Sequence, residues 1–145
     1  KAANDAWGHP VGDEILKLAA ARMRAAVRDG DIVARFGGDE FAILQPKVKG
    51  ARDAKALARR IVDVLSQTYA INGINCTVGA SLGICVALRD TPIEQVIGEA
   101  DRALYVAKRE GKGRFVCRSA LQDNREAVRG AMRAGLSIAL GSPAR

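Results

Sequence analysis

The run Gly37-Gly38-Asp39-Glu40-Phe41 carries the residue types best suited to chemistry in this chain. Two glycines let the backbone turn sharply and leave no side chain where a substrate comes close. Two carboxylates follow at once, at what reads as the apex of a hairpin. Adjacent acids repel one another and gain little for folding. A rigidly held pair suits Mg²⁺, a hard cation usually bound by one or two acids plus substrate phosphates. The same residue types also describe a solvated hairpin tip that uses Gly and Asp as turn formers.

The elements around this turn follow from hydrophobic periodicity. From Asp13 the residues Ile15, Leu16, Ala19, Met23, Ala26 and Val27 recur at helical spacing, and Asp29-Gly30-Asp31 stops that helix. Ile32–Phe36 and Phe41–Leu44 read as the two strands flanking the turn, with Pro46 ending the hairpin. A second helix is expected over 51–67 on the stripe Ala54, Leu57, Ala58, Ile61 and Leu65. Asn72-Gly73 is the preferred pair for a type I′ turn. After it Cys76, Val78, Ala80, Leu82, Ile84, Val86 and Leu88 share one face of a long strand, with Gly79 and Gly83 on the other, where a helix could approach closely.

Thr91-Pro92-Ile93-Glu94 has the form of a capping box. The third helix it opens buries Ile93, Val96, Ile97, Ala100, Leu104 and Ala107 and is capped by Gly111. Arg114–Arg118 forms a last short strand. The order helix, hairpin, helix, hairpin, helix, strand argues for an α+β sheet covered by helices. Arg125–Leu140 has helical apolar spacing but is rich in Ala and Gly, so residues 119–145 are expected to form a helical tail or linker outside the core.

A length of 145 residues fits one domain. Hydrophobic residues at 48% and charged residues at 27% give a globular balance, which argues against a disordered chain. No apolar run approaches the roughly 20 residues that span a bilayer. Three cysteines, Cys76, Cys85 and Cys117, lack metal-ligand spacing and read as buried strand residues in a reducing cytoplasm. The net charge of +7 is scattered along helices, and aromatics are only 4%, which argues against nucleic acid as a partner.

Four motifs occur in order: Lys1-Ala2-Ala3-Asn4-Asp5 with Gly8-His9-Pro10-Val11-Gly12-Asp13; Arg35-Phe36-Gly37-Gly38-Asp39-Glu40-Phe41; Ala100-Asp101-Arg102-Ala103-Leu104-Tyr105-Val106-Ala107-Lys108; and Gly111-Lys112-Gly113-Arg114. Together they make residues 1–118 resemble the GGDEF domains, the diguanylate cyclases that condense two GTP into cyclic di-GMP. The resemblance implies a nucleotidyl-cyclase-like, ferredoxin-like palm with an antiparallel-rich sheet.

It also implies roles. Asn4 and Asp13 match the residues that read guanine, with His9 beside the same nucleotide. A carboxylate has the polarity to accept from guanine N1–H and N2–H₂, and a site built on such bonds rejects analogues lacking them. Capping of the first helix is the local alternative for both residues. Asp39 matches the metal-binding acid, also assigned as the base toward the attacking 3′-hydroxyl, and Glu40 supports it; the metal is Mg²⁺ or Mn²⁺. Lys108 matches a lysine that pairs with GTP phosphates. Lys112 stands where the family usually has arginine, keeping charge but losing the bidentate fork. Two GTP-loaded domains must face each other, so the working unit is a homodimer.

Arg28-Asp29-Gly30-Asp31 is placed as the family's RxxD inhibitory site is, with Arg60, or alternatively Arg59, as a second arginine. Arg28 is expected to take guanine acceptors and Asp31 the guanine donors of cyclic di-GMP. Otherwise the two are a helix-end charge and a turn residue. Family members also carry a first strand, bearing a metal-binding Asp, directly before the Lys-x-x-Asn-Asp segment. This sequence begins at that Lys, so the expectation is a sheet lacking its first strand and a chain with little cyclase activity. The competing reading is a regulatory module that binds GTP or cyclic di-GMP and is attached to an EAL phosphodiesterase, to which residues 125–128 resemble a connector.

Overall fold

The computed structural model describes residues 8–119 and 132–141. Its order is α1 (His9–Ala26), β1 (Ile32–Gly37), β2 (Glu40–Val48), α2 (Ala51–Leu65), β3 (Tyr69–Ile71), β4 (Ile74–Cys76), β5 (Gly79–Leu88), α3 (Ile93–Arg109), β6 (Phe115–Ser119) and β7 (Met132–Gly141). Five strands form one sheet in the order β1-β2-β7-β5-β6, and β3 and β4 form a separate ribbon. All neighbours in the large sheet are antiparallel except β5 and β6. The α+β, antiparallel-rich sheet covered by helices is therefore the architecture present.

α1 and α2 cover one face. Ile15, Ala19 and Met23 of α1 and Leu57 and Ile61 of α2 pack with Phe41, Leu82 and Ile138 from the strands. The second-helix stripe is buried in full, at Ala54, Leu57, Ala58, Ile61 and Leu65. α3 covers the other face, where Val96 and Ala100 meet Cys85 and Ala87. With helices on both sides, nearly every residue of β5 is buried. Gly83 shows why the strand carries glycine: a Cβ there would overlap the Ala100 carbonyl oxygen and the Leu104 backbone nitrogen of α3. The alternating row from Cys76 to Val86 lies in the core as expected.

The tail departs from expectation. Residues 132–141 are a ten-residue strand lying between β2 and β5, not a helix beside the core. Residues 134–140 are all buried. Helical spacing in an Ala/Gly-rich segment is weak evidence, because tertiary pairing with two open strand edges outweighs local propensity. β7 thus occupies the central position of the five-stranded sheet. Residues 120–131 and 142–145 of the expected tail lie outside the described residues.

Smaller differences are also physical. α1 starts at His9 rather than Asp13, because Pro10 in the first turn has a φ suited to helix entry. β2 continues through Pro46 to Val48, with a register irregularity between Gln45 and Val48. A proline cannot donate to the ladder and is accommodated at such a break. The third helix takes Pro92, not Thr91, as its N-cap, without a side-chain cap bond. At its other end Gly111 has φ 111° and Lys112 N donates to the Ala107 carbonyl at 3.1 Å, a Schellman closure.

Arg22 ties the two helices on the first face together. It donates to the carbonyls of Val64 at 3.1 Å, Gln67 at 2.8 Å and Thr68 at 2.6 Å, and its guanidinium lies 3.8 Å from the centre of the Tyr69 ring. Those carbonyls belong to the end of α2 and the turn after it, where backbone acceptors have no helical partner.

Candidate functional site

The Gly37-Gly38-Asp39-Glu40 turn closes the β1–β2 hairpin, with Gly37 paired to Glu40 and a register shift at Phe36. Gly38 has φ 51°, a left-handed conformation that costs a side-chain-bearing residue energy. Arg35 braces the turn from within: its Nε and Nη2 donate to the Gly38 carbonyl at 3.0 and 2.7 Å. The bulge leaves Phe36 65% exposed.

Glu40 faces α3. Its Oε1 lies 3.9 Å from Lys108 Nζ, across a pocket of about 260 Å³ that Phe36, Asp101, Tyr105 and Ser137 also line. At the floor Ser137 Oγ donates to Asp101 Oδ1 at 2.7 Å, joining β7 to α3. The fold therefore brings together two motifs that lie about seventy residues apart in the chain. Asp39 is half-buried at the tip, and its backbone carbonyl accepts from Leu140 N at 3.2 Å, so β7 steadies the turn.

Asp39 and Glu40 offer a divalent cation two adjacent carboxylates. The neighbouring strand adds none: Ala139 stands opposite Glu40 and Ser137 opposite Ala42. Among the described residues no group of three His, Cys, Asp or Glu side chains surrounds a common point. Asp39 and Glu40 are the residues here that could hold a hard cation, which would need phosphate and water oxygens to complete its ligands.

The other expected positions separate into groups. His9 and Asp13 lie one helical turn apart on α1 and are both exposed, so they share a face. Asp13 is in the second turn rather than at the N-cap, which is Gly8, and so does not cap the helix. Asn4 lies outside the described residues. Lys112 is exposed in the turn after α3, one helical turn beyond Lys108, at φ 61°.

Arg28 and Asp31 do meet. Asp31 N donates to the Arg28 carbonyl at 3.1 Å, closing the turn, while Arg28 N lies 3.4 Å from Asp31 Oδ2 and Arg28 Nε 3.5 Å from Oδ1. Arg28 Nη2 also donates to the Lys47 carbonyl on β2. Both residues line an open groove of about 440 Å³ with Arg24 and Val27. Arg60 is exposed on α2 and makes no bond to either among the described residues. Sequence reasoning missed Gln45, whose Nε2 donates to Asp31 Oδ2 at 3.1 Å. The available signal was a polar residue breaking the apolar alternation Phe41, Ile43 on the inward face of β2.

Comparison with known proteins agrees with this geometry. The sequence model of the family described as diguanylate cyclase, GGDEF domain, matches residues 1–114. The bifunctional diguanylate cyclase/cyclic di-GMP phosphodiesterase MucR of Pseudomonas aeruginosa is 40% identical over 116 residues, covering 79% of this chain and 17% of MucR. Diguanylate cyclase DgcZ of Escherichia coli is 38% identical over 119 residues, covering 79% of this chain and 38% of DgcZ. The chain thus spans a minor part of either relative. The crystal structure of an EAL/GGDEF domain protein from M. capsulatus superposes with a TM-score of 0.71 at 39% identity, covering 82% of this chain and 76% of that one. With the hairpin signature, the α3 motif and the sheet that joins them all in place, this chain belongs to the GGDEF domain family of diguanylate cyclases.

Proposed function

We propose that the domain binds GTP for diguanylate cyclase chemistry, in which the 3′-hydroxyl of one GTP attacks the α-phosphate of another and pyrophosphate leaves. The observation that carries this reading is the approach of Lys108 to Glu40 beside the Gly-Gly-Asp-Glu turn. A lysine facing the Glu40 carboxylate across a pocket is arranged for a phosphate chain that would arrive with its own cation. Lys108 and Lys112 hold the phosphates, and Asn4, His9 and Asp13 read the guanine. Asp39 holds Mg²⁺ or Mn²⁺ with Glu40 beside it, and the ion would neutralise charge on the phosphates. Asp39 is also the proposed proton acceptor from the 3′-hydroxyl.

Two such domains facing each other form the reactive homodimer. Arg28 and Asp31, with Arg60 as the second arginine, take cyclic di-GMP as a feedback ligand. Because β7 sets no acid beside the hairpin, turnover by these 145 residues alone is slow. Among the described residues no helix is long and apolar enough to cross a membrane. The three cysteines, which lack metal-ligand spacing, suit a cytoplasmic setting.

Titration of Mg²⁺–GTP into the chain tests the reading, with Lys108→Ala as the variant. Loss of a charge-assisted phosphate contact lowers affinity about tenfold or more. Equal affinity in both proteins refutes the assignment. In a parallel assay little cyclic di-GMP forms, and steady production would contradict the argument about the acid-free strand. The second reading, a regulatory module beside an EAL phosphodiesterase, draws on the built Arg28–Asp31 turn and on the bifunctional MucR relative. It predicts that GTP or cyclic di-GMP binds through Arg28 and Asp31, so that Arg28→Ala and not Lys108→Ala abolishes binding.

A further inference from the structure

The inward face of β2 runs Phe41, Ile43, Gln45, and all three are buried, with Gln45 only 3% exposed. An amide stands where the pattern reserves an apolar side chain. Its Oε1 has no hydrogen-bond partner among the described residues, while its Nε2 donates to Asp31 Oδ2 at 3.1 Å. A buried carbonyl without a partner is costly, and a hydrocarbon of the same shape would avoid that cost. What distinguishes glutamine here is the bond it gives to Asp31.

The Asp31 carboxylate is held from two sides that differ in character. Its side chain is 3% exposed, whereas that of Arg28, its ion-pair partner, is 51% exposed. Arg28 is a long solvent-facing side chain whose Nε contact is a loose 3.5 Å and whose Nη2 is engaged by the Lys47 carbonyl. Gln45 is a short buried side chain on a strand paired on both edges. A ligand acceptor that draws the guanidinium outward removes the Arg28 side chain from Asp31. The Gln45 bond and the Arg28 backbone N–H, at 3.4 Å, remain.

We infer that Gln45 is a positioning residue for the Arg28–Asp31 site: its amide pins Oδ2 so that Oδ1 is presented toward the groove when Arg28 turns to a ligand. This rests on the reading that the pair takes cyclic di-GMP. Gln45 touches no ligand itself.

The test is calorimetric titration of cyclic di-GMP into the chain and into Arg28→Ala, Gln45→Met and Gln45→Glu. Arg28→Ala abolishes binding if the underlying reading holds. Gln45→Met, which keeps volume and removes the donor, weakens binding about tenfold with the thermal midpoint retained, the size of one hydrogen bond to a charged group. Gln45→Glu, which sets a carboxylate against Asp31, weakens it further. A second readout needs no variant to fold: the Gln45 side-chain amide ¹⁵N resonance moves on saturation with cyclic di-GMP. Binding by Gln45→Met within twofold of the parent, or an unmoved amide resonance, overturns the role of Gln45 while leaving the Arg28–Asp31 site intact. Absence of binding by the parent, or undiminished binding by Arg28→Ala, overturns the site and the positioning role with it.

Discussion

Ile138 is the residue on which the place of β7 is most directly tested. It is fully buried, and its register partners are Phe41 on β2 and Leu82 on β5, themselves 3% and 0% exposed. All three point to the face covered by α1 and α2. Ile138→Ala removes three carbons, about 2.4 kcal/mol of transfer free energy at ~0.8 kcal/mol per methylene. A central strand clamped on both edges cannot collapse into the space, so a cavity term brings the loss to about 3–4 kcal/mol, inside the range for such truncations. With a urea m-value of about 1.5 kcal/mol/M, the unfolding midpoint falls by roughly 2 M. The thermal midpoint falls by about 10 °C for a domain of this size. A helical tail beside the core predicts a change within about 0.5 kcal/mol, as surface substitutions give. The assay is urea unfolding followed by circular dichroism for the parent, Ile138→Ala and Ile138→Val. The valine variant should lose about 0.5–1.5 kcal/mol. A midpoint for Ile138→Ala indistinguishable from the parent would refute the central placement of β7.

Gly83→Ala is expected to be more damaging than its single methyl suggests. The added Cβ meets backbone atoms of Ala100 and Leu104, which cannot rotate away, so α3 must lift from the sheet at a cost of about 3 kcal/mol or more. A melting midpoint within 2 °C of the parent would count against that packing. The thiols give a pH-dependent test. Burial pushes the Cys76 and Cys117 thiols above their ordinary value, with Lys55 partly opposing this at Cys117. Thiolate is the reactive form, so native protein at pH 8 should react with a disulfide reagent more slowly than denatured protein. The same raised values stabilise the native state at pH below the unfolded thiol value, and that contribution is lost as pH rises through the folded values. Full labelling of native protein at the denatured rate would refute the burial argument.

Much of this molecule is legible in its sequence. The stripes of α1 and α2 and the alternating row from Cys76 to Val86 are written as period, and period follows from backbone geometry that each segment carries by itself. The sharp turn at Gly38 is equally local, as is the turn between Arg28 and Asp31. The motif residues of the hairpin and of α3 could be named from their order along the chain.

What local pattern could not decide is which segment fills the middle of the sheet. Residues 132–141 have weak propensity for any one state, and their strand exists because β2 and β5 present open hydrogen-bonding edges on either side. The meeting of Glu40 with Lys108 and the support of Asp31 by Gln45 likewise depend on distant segments packed at a fixed register. Sequence determined which residues could do chemistry, because residue type and local spacing are properties of the chain. Tertiary structure decided which of them act together, because distances across a sheet are set by strand order and by burial on both its faces.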